Sequence, residues 1–181
     1  MSNVLGMVPP APAKSPVIIG LIPCWNRFFL DPMWTVVCPG VEELSKQYAN
    51  EFDPFEPYWV WQQIYSGQFQ LYVGYTDKAG TATPEKFQEM FVEKIRTPDK
   101  DFIGFFILDV FRKKAVHVFA AYIMPEFRDK GVFEIAYDYI ESQVKAIGAK
   151  ELTATVPNEV ADSMRARGYR SGLTNMKKIL A

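Results

Sequence analysis

The stretch from Ala115 to Val156 restricts the possible folds of this chain more than any other. Ala115–Met124 is apolar and β-branched enough to form a strand, and a charged turn, Pro125-Glu-Phe-Arg128-Asp-Lys-Gly131, follows it. Val132, Ile135, Ala136, Tyr139, Ile140, Val144 and Ile147 then recur on one face of a helix that Gly148 ends. Glu151–Val156 alternates as a second strand. Strand, helix and strand at this spacing imply a right-handed crossover between parallel neighbours, so the fold class is α/β.

The remaining elements extend that plan. Val41–Asn50 reads as a short helix. Asp53-Pro54 opens another that runs through Trp59, Trp61 and Ile64 to Gly67. Gln68–Tyr75 is a strand, and Phe102–Phe111 and Ala115–Met124 form a hairpin around Arg112-Lys113-Lys114. Pro157 and Asn158 start a helix closed by Gly168, and Leu173–Leu180 can form a last strand. The polar run 76–100, with one helix after Thr83-Pro84, reads as an insertion in a domain spanning 41–181. Residues 1–40 look different: seven prolines (9, 10, 12, 16, 23, 32 and 39) favour extended or turn backbone over a long helix. This arm also carries Val17-Ile18-Ile19, Trp25, Phe28, Phe29 and Trp34, too much apolar surface to leave in water, so it should lie against its own domain or a partner chain.

Composition narrows the function. At 49% hydrophobic and 15% aromatic residues, the chain can bury enough surface to offset the entropy of ordering. A net charge of −1 supplies no field toward nucleic acid or anionic lipid, so neither is an expected partner. No stretch approaches the roughly 18 apolar residues of a membrane span, and the start lacks the basic and apolar regions of a secretion signal. One histidine, His117, and two cysteines, Cys24 and Cys38, cannot assemble the four ligands of a zinc site, so no metal is expected; the thiols read as free.

Chemistry is concentrated in the turn. Between a strand and a long helix, backbone amides converge on one point and the helix dipole adds positive charge, while Gly131 can take angles closed to other residues. The run from Ala115 to Ile179 resembles the GCN5-related N-acetyltransferase family. Its pieces appear in order: a strand ending at Pro125, Arg128-Asp129-Lys130-Gly131-Val132-Phe133, the helix to Gly148, the strand Leu152–Val156, Asn158-Glu-Val-Ala161, and Gly168-Tyr169. The resemblance implies a mixed central sheet flanked by helices. It also implies that acetyl-CoA would be held through its diphosphate by the amides of Arg128, Asp129, Lys130, Gly131, Val132 and Phe133, with Asn158 nearby.

Two departures bear on activity. Phe133 stands where the family has a small residue; its ring either fills the cofactor's space or turns inward with Val132. Arg165 stands where many members carry a tyrosine that protonates the departing thiolate, which arginine cannot do near neutral pH. Tyr169 and Tyr122 are the substitutes the sequence offers. His117, between Val116 and Val118, should share a face with Phe119, and as a lone strand histidine it reads as a packed or surface residue more readily than as a base. Because both departures weaken catalysis, acetyl-CoA binding is itself open to loss, and the sequence favours a vestigial, non-catalytic module, with an active acyl-CoA N-acyltransferase acting on an amine as the alternative.

Gly67-Gln-Phe-Gln-Leu71-Tyr-Val and Gly168-Tyr169 with Lys177-Lys178-Ile179-Leu180 are similar to small acetyltransferase-fold proteins of tailed bacteriophages. That similarity implies a structural or assembly component of a virion. It would be made in the host cytoplasm, anchored to other virion proteins or to its own copies through Trp25, Phe28, Phe29 and Trp34, and then carried in the particle.

Overall fold

A computed structural model describes residues 17–21, 26–47, 49, 55–76, 91–110, 114–128, 130–156 and 158–170. Its centre is a five-stranded sheet in the order β1-β2-β3-β4-β5: Val17–Leu21, Phe69–Thr76, Phe102–Asp109, Ala115–Ile123 and Glu151–Ala154. The first four strands are antiparallel neighbours, and β4 pairs with β5 in parallel, as the crossover requires. Pairing of β4 with β5 runs only from Ala115↔Glu151 to Val118↔Ala154, so residues 119–123 of β4 continue without β5 beside them.

Helices cover both faces. On one face, α1 (Arg27–Gln47) and α2 (Pro57–Tyr65) bury Leu30, Met33, Val37, Val60 and Ile64 against Leu71, Val73, Tyr75, Phe105 and Ile107. On the other, α3 (Val132–Ala146) lays Ala136, Tyr137, Ile140 and Val144 on Tyr72, Phe106, Leu108, Val116 and Val118, and Met164 of α4 (Asn158–Ala166) joins them. Alternation along β3 sends Phe105 and Ile107 to the first layer and Phe106 and Leu108 to the second.

The extended reading of 1–40 fails from Arg27 on, where α1 begins. Asn26 caps it, its side-chain oxygen accepting the Phe28 amide at 3.0 Å. Pro32 and Pro39 lie inside the helix but off its buried stripe of Leu30, Met33, Val37, Gly40 and Val41. Each interior proline costs about 3 kcal/mol. Burying each large apolar side chain returns about 1.5–3 kcal/mol, so four of them at least balance two prolines. Val17–Leu21 is a strand along β2. The rest of the arm, Trp25 included, lies outside the described residues.

Smaller corrections have equally local causes. α2 begins at Pro57, with Glu56 as its N-cap, rather than at Pro54. On α3 the buried stripe takes in Tyr137 and leaves Ile135 37% and Ile147 52% exposed, so the contact face is rotated from the one read in the sequence. Gly67, Gly148 and Gly168 end their helices with positive φ, as expected. Of the expected insertion, 77–90 lie outside the described residues; 91–96 are helical and Phe91 is buried in the first layer. The expected last strand also lies outside them. No described helix is long and apolar enough to cross a membrane, and no cluster of metal-binding side chains occurs among the described residues.

Candidate functional site

Two glycines build the wall of the site around Tyr122. A Cβ on Gly40 of α1 would stand 2.7 Å from Phe105 and 2.9 Å from Tyr122, so α1 can approach the sheet only with glycine there. A Cβ on Gly104 would meet the Tyr122 carbonyl oxygen at 2.0 Å. Tyr122 is thereby held against Phe105, rings 5.6 Å apart and nearly parallel. One helical turn beyond Gly40, Glu43 reaches the same ring: the Tyr122 hydroxyl donates to its Oε2 at 2.7 Å. Arg128 donates from Nη2 to Glu43 Oε1 at 3.1 Å and from Nε to the Ile123 carbonyl at 2.9 Å, and its guanidinium lies over the Tyr122 ring. The Tyr122 hydroxyl first, and then Arg128, hold the Glu43 carboxyl below the usual carboxylate range. Burial, then Glu43, pushes Tyr122 up to about 12.

From that post the chain turns into α3. Pro125–Phe127 is a short 3₁₀ turn, Arg128 is extended, and Gly131 is the helix N-cap at φ +69° with no side-chain cap bond. The first helical bond runs from the Ile135 amide to the Gly131 carbonyl, so the amides of Val132, Phe133 and Glu134 are first-turn donors without an acceptor inside the helix. Nothing lies within 4 Å of where a Gly131 Cβ would stand, so the turn is open on that side. Val132 is buried, and the Phe133 ring packs inward on Tyr137 and Phe106, at 4.9 and 6.3 Å. Of the two placements open for Phe133, the inward one is therefore adopted, and the turn offers backbone to an anion. Lys130 is exposed, its ammonium over the Phe127 ring. Asp129 and the Asn158 side chain lie outside the described residues, although the Asn158 backbone does open α4.

The sheet separates the two candidate tyrosines. Tyr122 faces α1, whereas Tyr169 lies behind α3, edge-on to Tyr137, with its hydroxyl buried and lacking a well-formed hydrogen bond. Burial and then the charge of Glu141 raise Tyr169 to about 12, so both phenols are reluctant acids. Arg165 is exposed and pairs with Asp162, while Arg167 is held by Asp138 and Glu141.

His117 shares the face of Phe119, as its neighbours Val116 and Val118 require. Its Nδ1 lies 3.0 Å from the Thr153 hydroxyl, and that hydroxyl donates to the Val116 carbonyl at 3.3 Å. With its own proton so used, the Thr153 oxygen accepts from Nδ1–H, which leaves the lone pair on Nε2. Burial lowers the imidazole below its ordinary pKa, opposed by Asp109, so the ring is neutral near pH 7 and able to take a proton. Phe119 closes one side with Phe55, Phe69 and Trp59 at 4.8–5.8 Å, and Ser45 fixes Phe55 by bonding both its amide and its carbonyl. Of the expected anchors, Phe29 and Trp34 pack on the first core while Phe28 is 71% exposed. Glu43 and Thr153 are the site residues that sequence reasoning missed; each is linked to the site only through a partner on another strand or helix, which leaves no trace in spacing.

At the level of sequence, no family model and no curated protein matches the chain. Solved structures do match. A possible acetyltransferase from Clostridium difficile 630 superposes at a TM-score of 0.57, with 13% identity over 91% of this chain and 97% of that one. The fold is that of the GCN5-related N-acetyltransferases. A member of that group from Ralstonia eutropha JMP134 gives 0.57 at 14% identity, covering 91% and 98% of the two chains. AAC(6')-Iy, solved with the bisubstrate analogue CoA-S-monomethyl-acetylneamine, gives 0.53 at 12% identity, covering 92% and 100%. At these identities the likeness concerns the fold, and activity must be argued from the residues.

Proposed function

We propose that this chain binds acetyl-CoA and transfers its acetyl group to an amine. The observation that carries the reading is the open turn at Gly131, where the Val132, Phe133 and Glu134 amides lack helical acceptors and the Phe133 ring has turned away. Those amides and the dipole of α3 suit a diphosphate. Residues 119–123 of β4, beyond the end of its pairing with β5, suit an extended arm, and the carboxyl ends of parallel strands are a common place for a ligand. Acetyl-CoA bound there supplies a thioester as acyl donor. The neutral His117 is the group this reading assigns to receive the proton of the attacking amine, and the aromatic wall of Phe119 and Trp59 would shed water from it.

Calorimetric titration tests the reading. A micromolar dissociation constant for acetyl-CoA is expected, and Gly131→Trp, which fills the open side of the turn at a strained φ, should abolish it. A release assay for the CoA thiol across a panel of amines should then lose about 100-fold or more in turnover with His117→Gln while affinity for acetyl-CoA holds. Absence of binding at millimolar acetyl-CoA would sink the proposal.

A second reading is favoured by the exposed aromatics Phe28, Tyr58, Trp59 and Tyr65 and by Arg165 in place of a proton-donating tyrosine. In it the chain is an assembly component of a bacteriophage particle, attached through an aromatic surface to other virion proteins or to its own copies, and acetyl transfer has been lost. Deleting 1–40 would cut α1 in two, so the test is Phe28→Ser combined with Tyr65→Ser. Unchanged incorporation into particles rules this reading out.

A further inference from the structure

The turn at Gly131 is tied to a helix on the opposite face of the sheet through a single carboxylate. Gly40 lets α1 close on Tyr122, which brings Glu43 over the end of β4, and its two oxygens are divided between the Tyr122 hydroxyl and the Arg128 guanidinium. Arg128 is fixed on three sides: Nε on the last carbonyl of β4, Nη2 on Glu43, and its flat face on the Tyr122 ring. Its backbone is the last described point before Lys130 and Gly131, where the chain changes direction into α3. We infer that Glu43 is a positioning residue for the diphosphate turn, acting through Arg128 to set the angle at which the first-turn amides of α3 converge, and so coupling α1 to the affinity for a diphosphate-bearing ligand. This rests on the acetyl-CoA reading above.

A half-exposed ion pair alone would be worth little. Here the same carboxylate also receives a 2.7 Å phenol bond, and the guanidinium is stacked and bonded to backbone, so removing Glu43 loosens three linked groups. Anion binding by convergent amides is sensitive to their angle, because each donor must point at the same oxygen cluster. The Arg128 side chain is spent on bracing, which leaves the anion to the amides.

The experiment compares two ligands on the full chain: acetyl-CoA, and S-acetylpantetheine, which has the same thioester arm and no diphosphate. Glu43→Gln keeps the shape and should weaken acetyl-CoA about fivefold, leaving S-acetylpantetheine unchanged. Arg128→Gln should do the same, and the double variant should lose no more than either alone. Equal loss for both ligands would show a general structural role, tighter binding of acetyl-CoA would show a carboxylate that merely repels the anion, and no change would show no coupling; each overturns the inference. If the unaltered chain binds neither ligand, the acetyl-CoA reading has failed, and the brace is judged by amide hydrogen exchange. Glu43→Gln should then speed exchange at the hydrogen-bonded Phe127, Arg128 and Ile135 amides about tenfold, and unchanged exchange there overturns it.

Discussion

The helices α1 and α3 cover opposite faces of one sheet and reach their places by unlike routes. Along α3 every local signal agrees: a glycine N-cap, an acidic residue in the first turn, Lys145 in the last, and a positive-φ glycine after the end. Along α1 the local signals disagree, with two interior prolines and no acidic residue in the first turn. It is a helix because its stripe has a sheet to lie on. A helix of the first kind can form before it docks; one of the second kind depends on docking.

Paired truncations test that difference most strongly. Leu30→Ala in α1 and Ile140→Ala in α3 both empty fully buried sites, and each should cost about 3 kcal/mol in chemical denaturation. Their local consequences should differ. Amide exchange along α1 should rise throughout the helix in the first variant, while α3 in the second keeps its protection relative to the rest of the chain. Equal loosening of the two helices would erase the distinction. A smaller effect of opposite sign is expected from Pro39→Ala, since Pro39 is exposed and the substitution restores a helical donor; stability should rise by about 2 kcal/mol after the loss of proline's restriction on the unfolded chain, read as a higher melting temperature. No gain would mean that α1 has already adapted to its prolines.

The smallest expected effect is set by pH. His117 lies on the α1 face with its folded pKa below the ordinary value near 6.5. The unfolded chain therefore binds more protons as pH falls below about 6.5. Stability should be full above that pH and decline toward the lower folded value. His117→Gln should flatten the slope in melting temperatures measured across this window, and an unchanged slope would assign it to another group.

The contrast between the helices also explains what the sequence could convey. The crossover from β4 through α3 to β5 was legible because its signals are local: periodicity, a terminating glycine, a strand on each side. The part of α1 before Val41 was not, because proline speaks against a helix and the compensating burial comes from distant residues such as Tyr75, whose hydroxyl meets Met33. The turn was legible from Gly131 and its position between a strand and a helix. Phe133 could not be placed, since its direction depends on Phe106 and Tyr137. Glu43 could not be found at all, because it lies 85 residues from Arg128 and nothing between them marks the pair.

One irregularity in β4 governs whether that pair can exist. Between Val118 and Ala120 the pairing with β3 shifts, and Phe119 is the unmatched residue. Strand side chains obey parity, so an uninterrupted ladder through Phe119 would turn Tyr122 toward α3 and away from Glu43. The extra residue acts as a frame correction: the strand downstream is reset so that Ala120 and Tyr122 face α1 while Ala121 and Ile123 face α3. Losing one residue at position 119 would keep that phase. Losing one elsewhere between 120 and the end of the strand would invert whatever follows, exchanging the inner and outer sides of the wall on which the turn at Gly131 stands.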